Sequence, residues 1–260
     1  MHENPAHVDQ PAGIIEEIAP DDAMFAGSED HYFMVGRTAL EWIRIAMLAA
    51  GKDTVGSILD LPCGHGRVLR TLKAAFPEAR LAACDISQPG VDFCAATFGA
   101  TPIYGMEEPD EIELPKQEYD LAFCGSLFTH VSAERWRDFL ELFHGSLAPG
   151  GLLLFSSHGR EHAAMLQEDW FEIGLTDEQN QSILDQYDRI GFGYEEFEPE
   201  NLNPKLPTAL HANYGISLAT PSWVCSQVEA IDGFRVVLYT ECAWPRDAAP
   251  QDVIACVRVT

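Results

Sequence analysis

The amino-acid sequence predicts an α/β fold built on a mostly parallel sheet with helices on both faces. Two observations predict it. Short apolar stretches typical of buried strands alternate with helical patterns between Ser57 and Ser156. The chain then closes with two β-rich runs, Phe234 to Cys242 and Val253 to Val259, joined by a segment too short for a crossover helix. We therefore expect this last pair of strands to be antiparallel.

The elements of the alternating region are bounded by residues that end helices. Gly51 closes an amphipathic helix that begins at Arg37, Pro77 ends the second helix, and Pro149 stops the fourth. Each predicted strand is followed by a helix or a long connection, as right-handed βαβ units require. The predicted strands are 57–61, 81–85, 119–125 and 152–156, and the predicted helices are 37–50, 67–76, 89–98 and 133–147.

The alternation stops after Ser157. Residues 158–215 contain one predicted helix, 176–190, and a long stretch broken by glycine and proline, which is typical of a lid or binding loop. Its aromatic side chains favour a lid over a disordered surface insertion: Trp170, Phe171, Phe192, Tyr194, Phe197 and Tyr214. We divide the chain into an N-terminal arm and pocket cap (1–36), a core (37–157), a lid between strands five and six (158–215), and the C-terminal part of the same domain (216–260).

Composition narrows the function. A formal net charge of −25 disfavours nucleic acids and anionic membrane surfaces as partners. The seven cysteines form no Cys-x-x-Cys pair, as expected in a reducing compartment. Because the N-terminus lacks an apolar signal region and no apolar stretch is long enough to span a bilayer, we expect a cytoplasmic protein. The histidine spacing indicates no metal site.

The strongest motif runs from Ile58 to Arg67. A hydrophobic strand leads directly into Gly64-His65-Gly66 and then into a helix, where a small turn and free amides let a ligand approach the backbone. Asp85 ends the next predicted strand, about 20 residues on, where a carboxylate can accept hydrogen bonds from ribose hydroxyls. This pairing predicts a nucleoside site.

Two details argue against a dinucleotide as the ligand. Leu69 occupies the position of the third glycine in the Gly-x-Gly-x-x-Gly fingerprint, and Asp60 places a carboxylate before the turn. That carboxylate would repel a pyrophosphate and attract an ammonium group. A cationic nucleoside amino acid, S-adenosylmethionine, fits both features.

At this point the sequence resembles the class I, Rossmann-like S-adenosylmethionine-dependent methyltransferase family. The motifs that carry the resemblance are Ile58 to Gly66, Cys84 to Ile86, Tyr119 to His130 and Leu147 to Phe155, in the family's order and at fitting spacing. The resemblance covers roughly residues 30–157 and, more loosely, the last two strands. It implies a seven-stranded sheet whose last strand is antiparallel. Pro62 departs from the family's usual glycine and removes an amide donor from the turn.

The resemblance also implies roles for individual residues. Asp60 would contact the cofactor's amino group, Asp85 would hold the ribose, and Ile86 and Met106 would flank the adenine. The methionine part would lie against Cys63, Gly64, Gly125, Ser126 and Leu127, with Gly66 completing the turn. Arg37 could pair with the methionine carboxylate, although a surface arginine at a helix start is an equal alternative.

Catalysis of methyl transfer needs positioning more than acid–base chemistry, because the sulfonium is already activated. A hydroxyl nucleophile would gain from a histidine base. Our first candidate is His158, which follows the fifth strand; His130, after the fourth strand, is second, and His211 on the lid is third. For His130, a structural role that fixes the following helix is the alternative.

We therefore expect an enzyme that methylates an oxygen or nitrogen of a small molecule, either partly apolar, sugar-like or a cationic amine. Two alternatives stay open. One is an aminopropyltransferase, which is expected to have a pair of acidic residues where this chain has Gly125 and Ser126. A non-catalytic relative would bind the cofactor as a scaffold. The sequence does not identify the acceptor or the oligomeric state.

Overall fold

The computed structural model describes residues 11–168, 174–198, 213–245 and 249–259. Nine strands are present in these ranges. In chain order they are β1 Ser57–Asp60, β2 Arg80–Asp85, β3 Thr101–Tyr104, β4 Tyr119–Cys124, β5 Leu147–Ser157, β6 Phe192–Glu196, β7 Gly215–Ala219, β8 Phe234–Trp244 and β9 Gln251–Arg258.

Seven of these strands form one mixed sheet in the order β3-β2-β1-β4-β5-β9-β8. The first five pair in parallel, and β9 lies antiparallel to both β5 and β8. The predicted seven-stranded, mostly parallel sheet with an antiparallel last strand is confirmed. Its central strands are buried on both faces: Ile58 packs into one apolar cluster and its neighbour Leu59 into the other.

Helices cover both faces of the sheet, as predicted. Val35, Leu69 and Val91 belong to the cluster on one face, and Trp136 and Val224 to the cluster on the other. The helices are α1 Glu29–Ala50, α2 Leu69–Ala75, α3 Gln88–Phe98, α4 Ala133–Ser146, α5 Arg160–Gln167, α6 Asp177–Ile190 and α7 Pro221–Glu229, with a 3-10 turn at Pro109–Glu111. No helix in the described ranges is long and apolar enough to cross a membrane.

The first helix begins earlier than the sequence pattern predicts. The side chain of Ser28 caps α1 by accepting a hydrogen bond from the His31 amide, so the helix starts at Glu29 and not at Arg37. Gly36 lies inside this helix and allows close packing against α2: a Cβ would lie 2.4 Å from the Thr71 hydroxyl oxygen. The expected boundary between residues 36 and 37 therefore falls inside a helix.

Strand β3 was not predicted from the sequence. It lies at the edge of the sheet, three of its four residues are exposed, and Pro102 interrupts its apolar pattern. Without a buried face, the strand carries no alternation of apolar and polar residues for the sequence analysis to detect.

The insertion after β5 is a small layer of its own. Helices α5 and α6 and strand β7 share an apolar cluster that includes Ile183 and Leu218. Strand β6 pairs with β7, and its Phe192 packs into the larger cluster that contains Trp136. The predicted helix at 176–190 is present as α6, started by a capping box between Thr176 and Gln179. Backbone amides of β7 donate to the carbonyls of Thr129, His130 and His158, which joins this layer to the ends of β4 and β5.

Candidate functional site

A cavity of about 820 Å³ opens at the carboxyl ends of β1, β2 and β4. This is the edge of a doubly wound sheet at which ligands bind. Its walls come from several parts of the chain: residues 20–24, the turn after β1, the loops after β2, β3 and β4, helix α4, residues 213–214 of the insertion, and Trp244 at the end of β8. The predicted site residues that line it are Asp60, Cys63, Gly64, Asp85, Ile86, Met106, Gly125, Ser126, Leu127 and His130.

The turn after β1, residues 61–66, is referred to here as the cofactor turn. Gly64 and Gly66 both have positive φ, +50° and +74°, which glycine adopts without strain. Gly66 does not line the cavity; a Cβ there would lie 2.4 Å from the Phe98 ring, so this glycine lets α3 approach the turn. Gly90 on α3 is equally constrained, because a Cβ would meet the Gly64 carbonyl oxygen at 2.4 Å.

Asp85 is held by backbone amides on both carboxylate oxygens. Oδ2 accepts from the Gly64 amide at 2.7 Å, and Oδ1 accepts from the Ser87 amide at 2.8 Å. Burial raises the pKa of this carboxyl, while these hydrogen bonds oppose the rise. Each carboxylate oxygen has two lone pairs, so Asp85 can still accept hydrogen bonds from a ligand's hydroxyls.

Asp60 is the less satisfied of the two acids. It is 1% exposed, and its Oδ2 has no hydrogen-bond partner in the described part of the chain. Burial raises its pKa well above the usual range, nearby Asp85 adds to the rise, and Arg67 opposes it. A buried polar atom without a partner is costly. The cavity wall therefore offers an acceptor suited to a cationic donor such as an ammonium group.

Arg37 is not brought to the cavity. It lies within α1, and the arginines among the described lining residues are Arg67 and Arg135. Arg67 directly follows Gly66, the second glycine of the motif, and this position in the sequence could have identified it as a cavity residue. The sequence analysis also missed residues 20–24 and the apolar walls Ile112, Val131, Phe139 and Trp244, because they come from elements without a recognisable motif.

The structure places the histidines differently from the sequence-based expectation. His130 lines the cavity, but His158 is not among the described lining residues; it lies behind His130, at 6.2 Å between ring centroids, and stacks on His162 at 4.0 Å. The end of β5 is covered by the insertion, whose Ala219 amide bonds the His158 carbonyl, so His158 faces protein and not the cavity. His211 lies outside the described residues, as do Trp170 and Phe171.

His130 is fixed on two sides. Its Nδ1 lies 2.7 Å from the Gly215 carbonyl oxygen, and its ring stacks on Tyr214 at 4.6 Å. Burial lowers the pKa of His130 to about 4, so the ring is neutral at pH 7. A carbonyl can only accept, so Nδ1 carries the proton and Nε2 is left as the hydrogen-bond acceptor.

Sequence comparisons relate the central part of the chain to methyltransferases. A family model described as a methyltransferase domain matches residues 59–153. Malonyl-[acyl-carrier protein] O-methyltransferase 2 of Ilyobacter polytropus is 26% identical over 161 residues, which are 61% of this chain and 60% of that protein. Ribosomal RNA small subunit methyltransferase C of Salmonella choleraesuis is 40% identical over 52 residues, 20% of this chain and 15% of that protein. The chain thus spans less than two thirds of the length of these relatives.

Solved structures with the same fold extend over most of the chain. A Burkholderia thailandensis 1,6-didemethyltoxoflavin-N1-methyltransferase, solved with 1,6-didemethyltoxoflavin and S-adenosylhomocysteine, superposes with a TM-score of 0.54 at 14% identity, covering 86% of this chain and 79% of that one. A Clostridium acetobutylicum S-adenosylmethionine-dependent methyltransferase gives 0.55 at 12% identity, covering 87% and 91%. At these identities the likeness establishes the fold.

Proposed function

We propose that this chain transfers the methyl group of S-adenosylmethionine to an oxygen or nitrogen of a small molecule. The chain carries a methyltransferase domain of the class I, Rossmann-like family, and S-adenosylmethionine is the cofactor of that family. The observation that carries the proposal is the pairing of two acids in one cavity, the buried Asp60 and the half-buried Asp85. Oδ2 of Asp60 has no hydrogen-bond partner among the described residues. Two backbone amides orient the Asp85 carboxylate, whose oxygens can still accept hydrogen bonds from hydroxyl groups.

The residues fit the cofactor. Asp60 would receive its ammonium group, Asp85 its ribose hydroxyls, and Ile86 and Met106 would flank its adenine. The backbone of Cys63, Gly64 and Gly125 to Leu127 would border its methionine part. When bound, the cofactor supplies a methyl group already activated by a sulfonium centre.

His130 is the residue we assign to the acceptor's proton. The Gly215 carbonyl holds the Nδ1 proton and Tyr214 covers one ring face, so Nε2 can accept a hydrogen bond from an acceptor hydroxyl or N–H. His130 would thereby orient the nucleophile and take up its proton as the methyl group is transferred. His158, stacked on His162 behind it, would support the ring's position.

The charges around the cavity favour an uncharged or cationic acceptor. Five of the described lining residues are acids: Asp21, Asp22, Asp60, Asp85 and Glu107. Of the two arginines, Arg135 already donates to the Glu107 carbonyl and the Glu108 carboxylate. The net charge of −25 also argues against an RNA acceptor of the kind named for the ribosomal RNA relative. An aminopropyltransferase is less favoured, because Gly125 and Ser126 supply no acidic pair.

The first prediction concerns cofactor binding and its proton balance. Burial raises the pKa of Asp60 in the free protein, and a bound ammonium group would lower it again. Binding of S-adenosylmethionine should therefore release a proton, and affinity should rise with pH from the usual carboxyl range up to the raised pKa, then level off. Calorimetry in two buffers of different ionisation enthalpy measures the protons released.

The variant Asp60→Asn should bind more weakly and release fewer protons. Asp92→Asn, on the exposed face of α3, is the matched control and should behave as the wild type does. Absence of any binding of S-adenosylmethionine or S-adenosylhomocysteine to the wild-type protein would refute the proposed function. Binding without methyl transfer to any of a panel of phenols, carboxylic acids and amines would favour the scaffold alternative.

A further inference from the structure

Arg70 is the most deeply buried basic side chain in the described part of the chain, and the proposed reaction gives it no role. It is 1% exposed, although arginine is almost never fully buried unless it is paired. In the described part of the chain its guanidinium donates hydrogen bonds to five oxygen atoms, none of which belongs to a carboxylate. These are the carbonyls of Ile15 (3.1 Å), Glu17 (2.7 Å), His65 (3.3 Å) and Gly66 (3.1 Å), and the Tyr32 hydroxyl (3.2 Å).

These five oxygens belong to three separate parts of the chain. The carbonyls of His65 and Gly66 are in the cofactor turn, Tyr32 is on α1, and Ile15 and Glu17 are in the N-terminal segment. Residues 15–24 of that segment are called the strap below. Arg70 is therefore a junction between the strap and the cofactor turn, and the planar, five-donor geometry of arginine is what allows a single side chain to form it.

The strap continues from this junction into the wall of the cavity. Residues 20–24 line the cavity beside the cofactor turn, and the His65 ring lies 3.5 Å from the Asp21 carboxylate. Asp22, 3% exposed, fixes the bend of the strap: Oδ2 accepts from the Tyr32 hydroxyl at 2.5 Å and Oδ1 from the Met24 amide at 2.8 Å. Tyr32 thus connects Asp22 to Arg70 through one hydroxyl group.

The sheet and α1 have apolar packing of their own besides this arrangement. The strap lies outside the sheet, and α1 is held by its own apolar residues Val35, Leu40 and Ile43, each 1% exposed or less. Loss of the Arg70 side chain would remove a donor from five oxygens, two of them on the strap and two on the cofactor turn; the Gly66 carbonyl would keep the Arg70 backbone amide. The main effect would fall on the part of the cavity that these two segments enclose.

We propose that Arg70 is a positioning residue for the cofactor site, which fastens the strap against the cofactor turn and so retains the bound cofactor. The proposal rests on the proposed function. It predicts that residues 20–24 are a working part of the binding site and that Arg70, which reaches the ligand only through them and the turn, controls how fast the ligand leaves.

The test uses full-length protein, with S-adenosylhomocysteine as the probe. Arg70→Met should raise its dissociation constant at least about tenfold, mainly through faster dissociation. Hydrogen exchange of residues 15–24 should rise in the free variant and no longer be suppressed by the probe, while exchange of β1, β4 and β5 stays as in the wild type. Arg70→Lys should not restore affinity, because an ammonium group cannot bridge these five oxygens.

Tyr32→Phe is the second variant, and it keeps the ring while removing only the hydroxyl between Asp22 and Arg70. It should shift the dissociation rate in the same direction by a smaller factor and lower the melting temperature less than Arg70→Met does, because it removes one hydrogen-bonding group where Arg70→Met removes five hydrogen bonds. Arg137→Met, which removes an exposed ion pair with Glu141 on α4, is the control and should change neither quantity.

Two results would overturn the proposal. One is unchanged probe affinity and dissociation in a folded Arg70→Met protein; the other is unchanged dissociation in Tyr32→Phe where Arg70→Met is too unstable to measure. In both, the wild type still binds the probe, so the proposed function survives. A wild type that does not bind S-adenosylhomocysteine is a different outcome, because it removes the proposed function itself.

Discussion

His130→Asn should lower the rate of methyl transfer by about 10²-fold, at the low end of the range for loss of a general base, because a base with a pKa of about 4 is weak. Asparagine can still donate to the Gly215 carbonyl, so the loop should keep its position. Cofactor affinity should stay unchanged. The rate is measured with methyl-labelled S-adenosylmethionine on the first acceptor in the panel that the wild type methylates.

The pH profile gives an independent measure of the same role. Burial lowers the pKa of His130 to about 4, so the neutral ring that can accept a proton is present above that pH. The contribution of His130 to the rate of methyl transfer should be constant from pH 6 to 8 and should fall as the pH drops through about 4. In His130→Asn this acid limb should disappear.

His158→Asn is the matched comparison. The ring of His158 stacks on His162, is only 9% exposed, and does not line the described cavity. Its replacement should lower the melting temperature and leave turnover within about threefold of the wild type, well short of the loss expected for a base. A hundredfold loss of turnover with unchanged stability would return the role of base to His158.

Asp85→Ala should weaken the binding of S-adenosylhomocysteine by about 1.5–3 kcal/mol, or roughly 10–150-fold, the cost of losing hydrogen bonds to a charged acceptor. The loss should be specific to the ribose. A 2′-deoxy analogue of the ligand should bind the wild type more weakly than the parent ligand does, and the variant should discriminate much less between the two. Calorimetric titration of both ligands against both proteins completes this cycle.

Asp85 also anchors the Gly64 and Ser87 amides, so the variant could disturb the cofactor turn. The cycle separates the two effects. A disturbed turn weakens both ligands alike, whereas a lost ribose contact weakens only the ligand that has the hydroxyl. Equal discrimination by both proteins would contradict the assignment of Asp85 to the ribose.

The sheet could be predicted from sequence because its signals are local. Buried parallel strands such as β1 read as short apolar runs, and Gly51 and Pro77 mark helix ends through their own backbone constraints. The positions of Asp60 and Asp85 in the cavity could be predicted for the same reason. Asp60 and Asp85 are the last residues of β1 and β2, and the ends of parallel strands meet at one edge of the sheet.

The acceptor side could not be predicted in the same way, because long-range contacts decide it. His130 and His158 both follow strands, and nothing local tells them apart. Their difference arises from β7, which pairs its backbone with the loop after β4 and covers the end of β5. The role of Arg70 was hidden for a similar reason: its partners Ile15 and Glu17 lie more than 50 positions earlier in the chain.

The attachment of β7 has a consequence for how this protein could be re-engineered. The strand forms backbone hydrogen bonds to the carbonyls of Thr129 and His130, while Tyr214, just before it, stacks on the His130 ring. The insertion and the loop after β4 are therefore one exchangeable unit. In a chimaera that takes only the insertion from a relative, the residue in the place of Tyr214 would lose its stacking partner. A chimaera that takes the insertion together with residues 126–132 should carry over the relative's acceptor preference and leave the cofactor site intact.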